Sequence, residues 1–285
     1  MTLVPSSTPL TNFTLLTFDI YGTLIDQETG LSTALLRSSH LSTLAPTHPY
    51  KTSRSTLLRA FAAHERAIQS AHPTMLYRDI LASTYKRIVQ DLVAHNEPQV
   101  DEEGLEEAAQ DFGRSVASWP AFPDTVDALK RLGKRYKLAP LSNIDRESLA
   151  GTLANGLDGA GFAATYTAQD IGSYKPDLRN FEYLFKHAGD DFPGLFGFED
   201  EGEGEGEEVR REKVKGRILH VAQSLWHDHV PAAQLGLESV WVDRGGVLGS
   251  KLEGEVVEKA RFGWKVGSLK ELADIVEEAW AKEGK

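Results

Sequence analysis

The chain has 285 residues, 41% hydrophobic and 26% charged, enough apolar material for one large or two modest domains and too much for a disordered chain. It has no cysteine, which excludes a disulfide scaffold, zinc–thiolate and iron–sulfur centres, and any thiol nucleophile. The net charge is −11, but seven acids lie between Glu199 and Glu208, and without them the balance is −11 + 7 = −4; a chain-wide basic footprint for nucleic acid is absent.

Residues 1–12, rich in Ser, Thr and Pro, read as a loose leader and lack the basic-then-apolar order of a signal peptide. Phe13–Asp19 reads as a buried strand ending in a turn at Tyr21-Gly22-Thr23. Residues 27–118 differ in pattern. Helical spacing places Leu57, Leu58, Phe61, Glu65 and Ile68 on one stripe over 55–72, and Met75, Ile80, Leu81, Tyr85, Ile88 and Leu92 on another over 75–93. A third helix, over 101–118, opens with acids, as the helix dipole favours. The block therefore reads as an all-helical insertion.

Strands and helices alternate after Trp119. Helices are expected over 123–136, 144–157, 178–188, 228–236 and 270–280, and strands over 137–141, 164–167, 217–222 and 240–242. That alternation argues for a parallel sheet with helices on both faces, whose ligands bind beyond the carboxyl ends of the strands. The run 199–208 reads as an acidic, flexible surface loop. No apolar run approaches the roughly 18 residues of a membrane span, so the expectation is a cytoplasmic chain acting on a small molecule, with neither nucleic acid nor membrane as partner.

Four segments carry chemistry, each at or just after an expected strand end: FDIYGTLID (18–26), LSN (141–143), SYKPD (173–177) and HVAQSLWHD (220–228). An aspartate at a strand end can act as a nucleophile if N–H groups and a cation keep it ionised. Taken singly, Asp19 reads as a turn residue, Ser142-Asn143 as a turn, Lys175-Pro176 as a helix start and Asp228 as a cap. His220 reads as a core histidine, and Trp226 and His227 as pocket-lining candidates, Trp226 the more readily as packing.

In this order the four segments resemble the haloacid dehalogenase superfamily, with its Asp-x-x-x-Thr loop, Ser/Thr, Lys and acidic motifs. The resemblance covers about residues 13–245. It implies a doubly wound, Rossmann-like parallel α/β core (1–26 and 119–285) with an inserted all-helical cap (27–118). The Asp-x-Tyr-Gly-Thr-Leu form is similar to the type II 2-haloacid dehalogenase branch, which works without a metal. That branch implies that Asp19 displaces halide from C2 of a small 2-haloacid with inversion, forming an aspartyl ester that water then cleaves.

By the same resemblance Thr23 orients Asp19, Lys175 keeps it ionised, and Asp228 pairs with Lys175 and helps position the water. Ser142 is expected to bind the substrate carboxylate, Asn143 to cradle the halide, Tyr21 to line the substrate site, and Arg59 to meet halide and carboxylate. No metal ligand set and no cofactor is implied. A homodimer is the protein partner that such relatives suggest.

The chain also departs from the family. Phosphatases of the superfamily carry a second Asp two residues past the nucleophile to protonate the leaving oxygen; here that residue is Tyr21, whose phenol is a poor acid at neutral pH. The fourth motif has Gln223 where an Asp helps to hold Mg²⁺. Proven dehalogenases tend to read Ser-Ser-Asn-x-Trp-Asp there; this chain has Leu225 in place of the Asn and its Trp shifted by one. A Tyr often found six residues after the Lys is Phe181. Two other readings stay open at this point: a Mg²⁺-dependent phosphatase on a small phosphate ester, with Asp19 and Asp228 as metal carboxylates, and a non-catalytic member that binds a ligand or protein.

Overall fold

The computed structural model describes residues 1–94, 102–198, 206–248 and 258–284. Among these residues the main sheet comprises β1 (Leu15–Phe18), β2 (Lys137–Ser142), β3 (Tyr166–Thr167), β4 (Ile218–Ala222), β5 (Ser239–Val242) and β6 (Trp264–Val266). The strands lie in the order β3-β2-β1-β4-β5-β6, and every pairing is parallel. The longer helices are α1 (Gln27–Arg37), α2 (Arg54–Ala71), α3 (Tyr77–Ala94), α4 (Glu102–Arg114), α5 (Thr125–Leu132), α6 (Arg146–Asn155), α7 (Arg179–Asp191), α8 (Glu207–Lys215), α9 (Val230–Leu235) and α10 (Leu269–Lys282).

Each central strand is apolar because both faces of the sheet are covered. On one face, Leu16 and Phe18 of β1 join Leu219 and Val221 of β4 and the stripe Leu272, Val276 of α10. On the other, Leu15 and Ile218 meet Phe181, Leu184 and Phe185 of α7. Each such fully buried aliphatic or aromatic side chain contributes about 1.5–3 kcal/mol. Thr17, polar on a buried strand, is matched across the register by His220 of β4, and the two side chains hydrogen-bond at 2.9 Å.

The strand order reverses between β1 and β4, so the chain leaves these two neighbours in opposite directions and opens a crevice at their carboxyl ends. The helices α1 to α4 form the insertion between β1 and β2, and among the described residues 27–118 contain no strand. They cross closely: a Cβ on Gly113 of α4 would stand 2.4 Å from the Arg78 carbonyl oxygen of α3. Among the described residues no helix is long and apolar enough to cross a membrane.

Four places in the structure go beyond the sequence reading or differ from it. The leader is not wholly loose, because Thr2–Leu3 pairs in parallel with Arg261–Phe262. Strand β6 was not anticipated; three residues are too few to register a period of two. The expected acidic loop lies outside the described residues over 199–205, and its last acids, Glu207 and Glu208, open α8, where the helix dipole favours negative charge. The helix expected over 228–236 begins as a π-helical turn, Leu225–His229, before α9.

Candidate active site

Asp19 follows directly on β1, its backbone N–H bonded to the Val221 carbonyl of β4. The chain then turns through Gly22, whose φ of +88° is costly for any residue with a Cβ. A Cβ at Gly22 would also stand 3.0 Å from the Gln223 side-chain oxygen. This tight turn brings the Thr23 hydroxyl back to Asp19, donating to Oδ2 at 2.8 Å. The Gln223 backbone N–H donates to the same hydroxyl at 2.9 Å, leaving the Thr23 proton for Asp19.

Lys175 arrives from the loop after β3 and is only 2% exposed. Its Nζ donates to Asp19 Oδ1 at 2.9 Å, Asp228 Oδ1 at 2.6 Å and the Leu141 carbonyl at 2.9 Å, which uses all three ammonium protons. Asp228 also accepts from His220 Nε2 at 2.9 Å. Its other oxygen, Oδ2, is buried without a partner among the described residues, as is the Ser142 hydroxyl.

Electrostatics separate the two carboxylates. Burial raises the Asp19 pKa above the ordinary carboxylate value, and Asp228 adds to the rise, while Lys175 and Thr23 resist it. Burial pushes Asp228 the same way, but Lys175 and the His220 hydrogen bond outweigh it and hold Asp228 below its ordinary value. Burial alone would depress the Lys175 ammonium; the charges of Asp19 and Asp228 reverse that and raise it. The result is a firmly ionised Asp228 beside a poorly solvated, more basic Asp19.

Not every expected site residue joins this cluster. The Asn143 side chain holds the Lys175 backbone, accepting from its N–H at 2.7 Å and donating to its carbonyl at 3.0 Å. In this structure it positions Lys175. The Tyr21 hydroxyl meets Thr152 Oγ1 of α6 at 2.7 Å, and burial raises its pKa well above the ordinary phenol value. Its ring stands edge-on to Trp119 at 5.8 Å and beside Tyr77 at 6.1 Å. Gly30 of α1 permits that wall, since a Cβ there would strike the Trp119 ring at 2.3 Å.

Arg59 is exposed on α2 and makes no hydrogen bond or ion pair with the residues around Asp19. Arg66 lies seven residues further along the same helix face, and its charge acts on His227. Next to it, Glu65 accepts a hydrogen bond from Tyr77 at 2.7 Å, and burial lifts its pKa to about 7. Sequence reasoning put Glu65 on the buried stripe of α2 without asking why a carboxyl belonged there, and it did not single out Arg66 or Tyr77.

Magnesium was the ion implied by one sequence reading. Gln223, at the position of a second acid, gives its amide to the Leu248 carbonyl at 2.7 Å. Asp19 and Asp228 both bind the Lys175 ammonium, and the described residues contain no group of three or more His, Asp or Glu able to hold a metal. Mg²⁺ commonly takes one or two carboxylates and several waters; here both carboxylates are committed to Lys175, and Asp228 Oδ2 is the one oxygen of the pair left without a partner among the described residues.

A family model described as haloacid dehalogenase-like hydrolase matches residues 13–195, well over half of the chain. The chain belongs to that family. Comparison with curated proteins finds no match. Among solved structures, the chain is similar to a defluorinating L-2-haloacid dehalogenase, with a TM-score of 0.66 at 17% identity, covering 96% of this chain and 100% of the other. It is similar to L-2-haloacid dehalogenase from Xanthobacter autotrophicus, with a TM-score of 0.62 at 16% identity over 93% and 98% of the two chains. The structure of YfnB from Bacillus subtilis, bound to magnesium, gives a TM-score of 0.63 at 16% identity over 93% and 98%. Likeness at this identity speaks for the shared fold.

Proposed function

We propose that the chain is a metal-independent 2-haloacid dehalogenase-like hydrolase. Asp19 attacks C2 of a small 2-haloacid: an Asp19 oxygen–C2 bond forms as the carbon–halogen bond breaks, and the halide leaves with the electron pair. Lys175 and Thr23 hold the carboxylate ionised and aimed, while its poor solvation makes it the stronger nucleophile. Water then attacks the ester carbonyl, releasing the hydroxy acid and regenerating Asp19. The unpaired Asp228 Oδ2 is suited to accept from that water, and the unpaired Ser142 hydroxyl to donate to the substrate carboxylate.

The observation that carries this reading is the Tyr21 hydroxyl, bound to Thr152 rather than facing Asp19. The place of the phosphatase acid holds a buried phenol bound to Thr152 and raised further in pKa, a poor acid at neutral pH, and a halide leaving group requires no proton. The test is halide and phosphate release in parallel, from (S)-2-chloropropionate and p-nitrophenyl phosphate, each with EDTA and with Mg²⁺, and with Asp19→Asn as control. Chloride release that survives EDTA and disappears in Asp19→Asn is the expected result. Mg²⁺-dependent phosphate release would replace this reading with the phosphatase one.

A further inference from the structure

Helix α3 of the insertion begins at Tyr77, and the residue before it, Leu76, has no side-chain oxygen to accept from the N–H groups of the first turn. An acceptor comes from the core instead. Asp145 Oδ2 accepts from the Arg78 N–H at 3.2 Å. Asp145 is itself the N-cap of α6, its Oδ1 accepting from the Ser148 N–H at 2.9 Å and its Oδ2 from the Ser148 hydroxyl at 2.9 Å, and it is only 1% exposed. One buried carboxylate thus serves the first turns of two helices, one in the core and one in the insertion, and both helix dipoles favour its charge.

A second tie reaches the same stretch of the insertion. The Tyr174 hydroxyl donates to the Met75 carbonyl at 2.6 Å. Between the two ties, the Tyr77 ring lies beside Tyr21, whose hydroxyl meets Thr152 of α6. The Arg78 guanidinium adds an ion pair with the exposed Glu147 in the first turn of α6, and such solvent-facing pairs contribute little.

The two core residues that grip 75–78 belong to the loops that place Lys175. Tyr174 is its chain neighbour. Asp145 lies two residues past Asn143, whose side chain accepts from the Lys175 N–H and donates to the Lys175 carbonyl. The Lys175 ammonium in turn bonds Asp19 and Asp228.

We propose that Asp145 and Tyr174 are positioning residues that couple the helical insertion to the cation behind the nucleophile: seating residues 75–78 on the core and ordering the loops that hold Lys175 are one event. Neither residue touches the reacting atoms. The effect on turnover rests on the dehalogenase reading above; the coupling does not.

Two variants cut one bond each. In Asp145→Asn the amide keeps an oxygen for the Ser148 N–H, and asparagine caps a helix about as well as aspartate. Its NH₂ group, however, faces the Arg78 N–H, which loses its acceptor. Tyr174→Phe removes only the hydroxyl from Met75. The first measurement is amide hydrogen exchange by NMR, read away from the cut bond. In Tyr174→Phe the Arg78 amide, whose own bond to Asp145 is intact, should exchange roughly tenfold faster, the worth of one hydrogen bond. In Asp145→Asn the Lys175 amide, still facing Asn143, should do the same. Amides of α6 beyond its first turn should exchange as in wild type. Exchange that rises only at the cut bond, or throughout the chain, overturns the coupling.

The second measurement is halide release from (S)-2-chloropropionate. A substrate between insertion and core binds the seated form, so a weaker seat lowers the competent fraction and raises KM, and saturation restores the rate. In the double variant Asp145→Asn/Tyr174→Phe, KM should rise more than kcat falls. A fall in kcat at constant KM is the mark of fewer folded molecules and overturns the positioning role. A wild type that releases no halide overturns the dehalogenase reading, and the exchange result then decides the coupling by itself.

Discussion

The two sides of the cleft are built on different plans. On the core side, every charge has a fixed partner: Lys175 bonds both carboxylates, Thr23 and Gln223 fix Asp19, and His220 braces Asp228. On the side of the helical insertion, Tyr77 lies beside the Tyr21 ring and bonds Glu65, a carboxyl raised in pKa by burial, while Arg59 and Arg66 are exposed. The core side is suited to one unchanging chemical step. The other side is suited to choosing what reaches it, and its groups can change with less consequence for the fold.

The sharpest test of that contrast is within the core, between its two aspartates. Asp19→Asn should lower halide release by a thousandfold or more, on the order expected when a nucleophile is removed. It should not lower the denaturation midpoint. A carboxyl whose folded pKa is raised binds its proton more tightly in the native state, so its ionised form weighs against folding at neutral pH. Asp228→Asn should do the reverse for stability. Its pKa is depressed in the fold, so it contributes stability above the ordinary carboxylate pKa, which is lost as pH falls through the lower folded value. If Asp19→Asn proves the less stable of the two, the electrostatic asymmetry is wrong.

Lys175→Met comes next in size. It leaves two carboxylates facing each other in a dry site and should cost about 3–5 kcal/mol in urea denaturation, as removing one member of a buried ion pair does. Halide release should vanish with it. A loss under about 1 kcal/mol would mean that water already reaches the cluster.

The same contrast explains what could be read in advance. The candidate core motifs were legible because each candidate residue sits at the end of an apolar run, where chain geometry alone puts it at the sheet's carboxyl edge: Asp19 after β1, Ser142 at the end of β2, Asp228 in the turn after β4. On the insertion, amphipathic spacing located α2 and α3 within about two residues. It could not say which residue of α2 meets the core, because that depends on how α2 is set over the sheet. Glu65 left a signal, a carboxyl within an apolar stripe. Helix α8 left little, since in Glu207–Lys215 only Val214 is buried.

On the insertion side, Gly30→Ala should have a middling effect. The new methyl would collide with the Trp119 ring, and such overpacking costs about 1–3 kcal/mol. Because Trp119 supports Tyr21, KM should rise more than kcat falls. An unchanged KM would separate that wall from substrate binding.

The smallest expected effect belongs to Glu65→Gln, and its sign is distinctive. Burial raises the folded pKa of Glu65 to about 7 from an ordinary 4.5. Between these values the native state binds a proton that the unfolded chain has lost, so stability falls as pH rises from about 4.5 to about 7, and the deficit persists above it. Glutamine keeps an oxygen for the Tyr77 hydroxyl and carries no charge. The variant should therefore match wild type at pH 4 and exceed it at pH 8 by about 1–2 kcal/mol in parallel urea melts, less than the roughly 3 kcal/mol of the full shift because Glu65 keeps some contact with solvent. Equal stability at both pH values would mean that Glu65 is as well solvated as a surface carboxyl. The contrast between a charged core and a protonatable insertion would then rest on Arg66 and the aromatic wall alone.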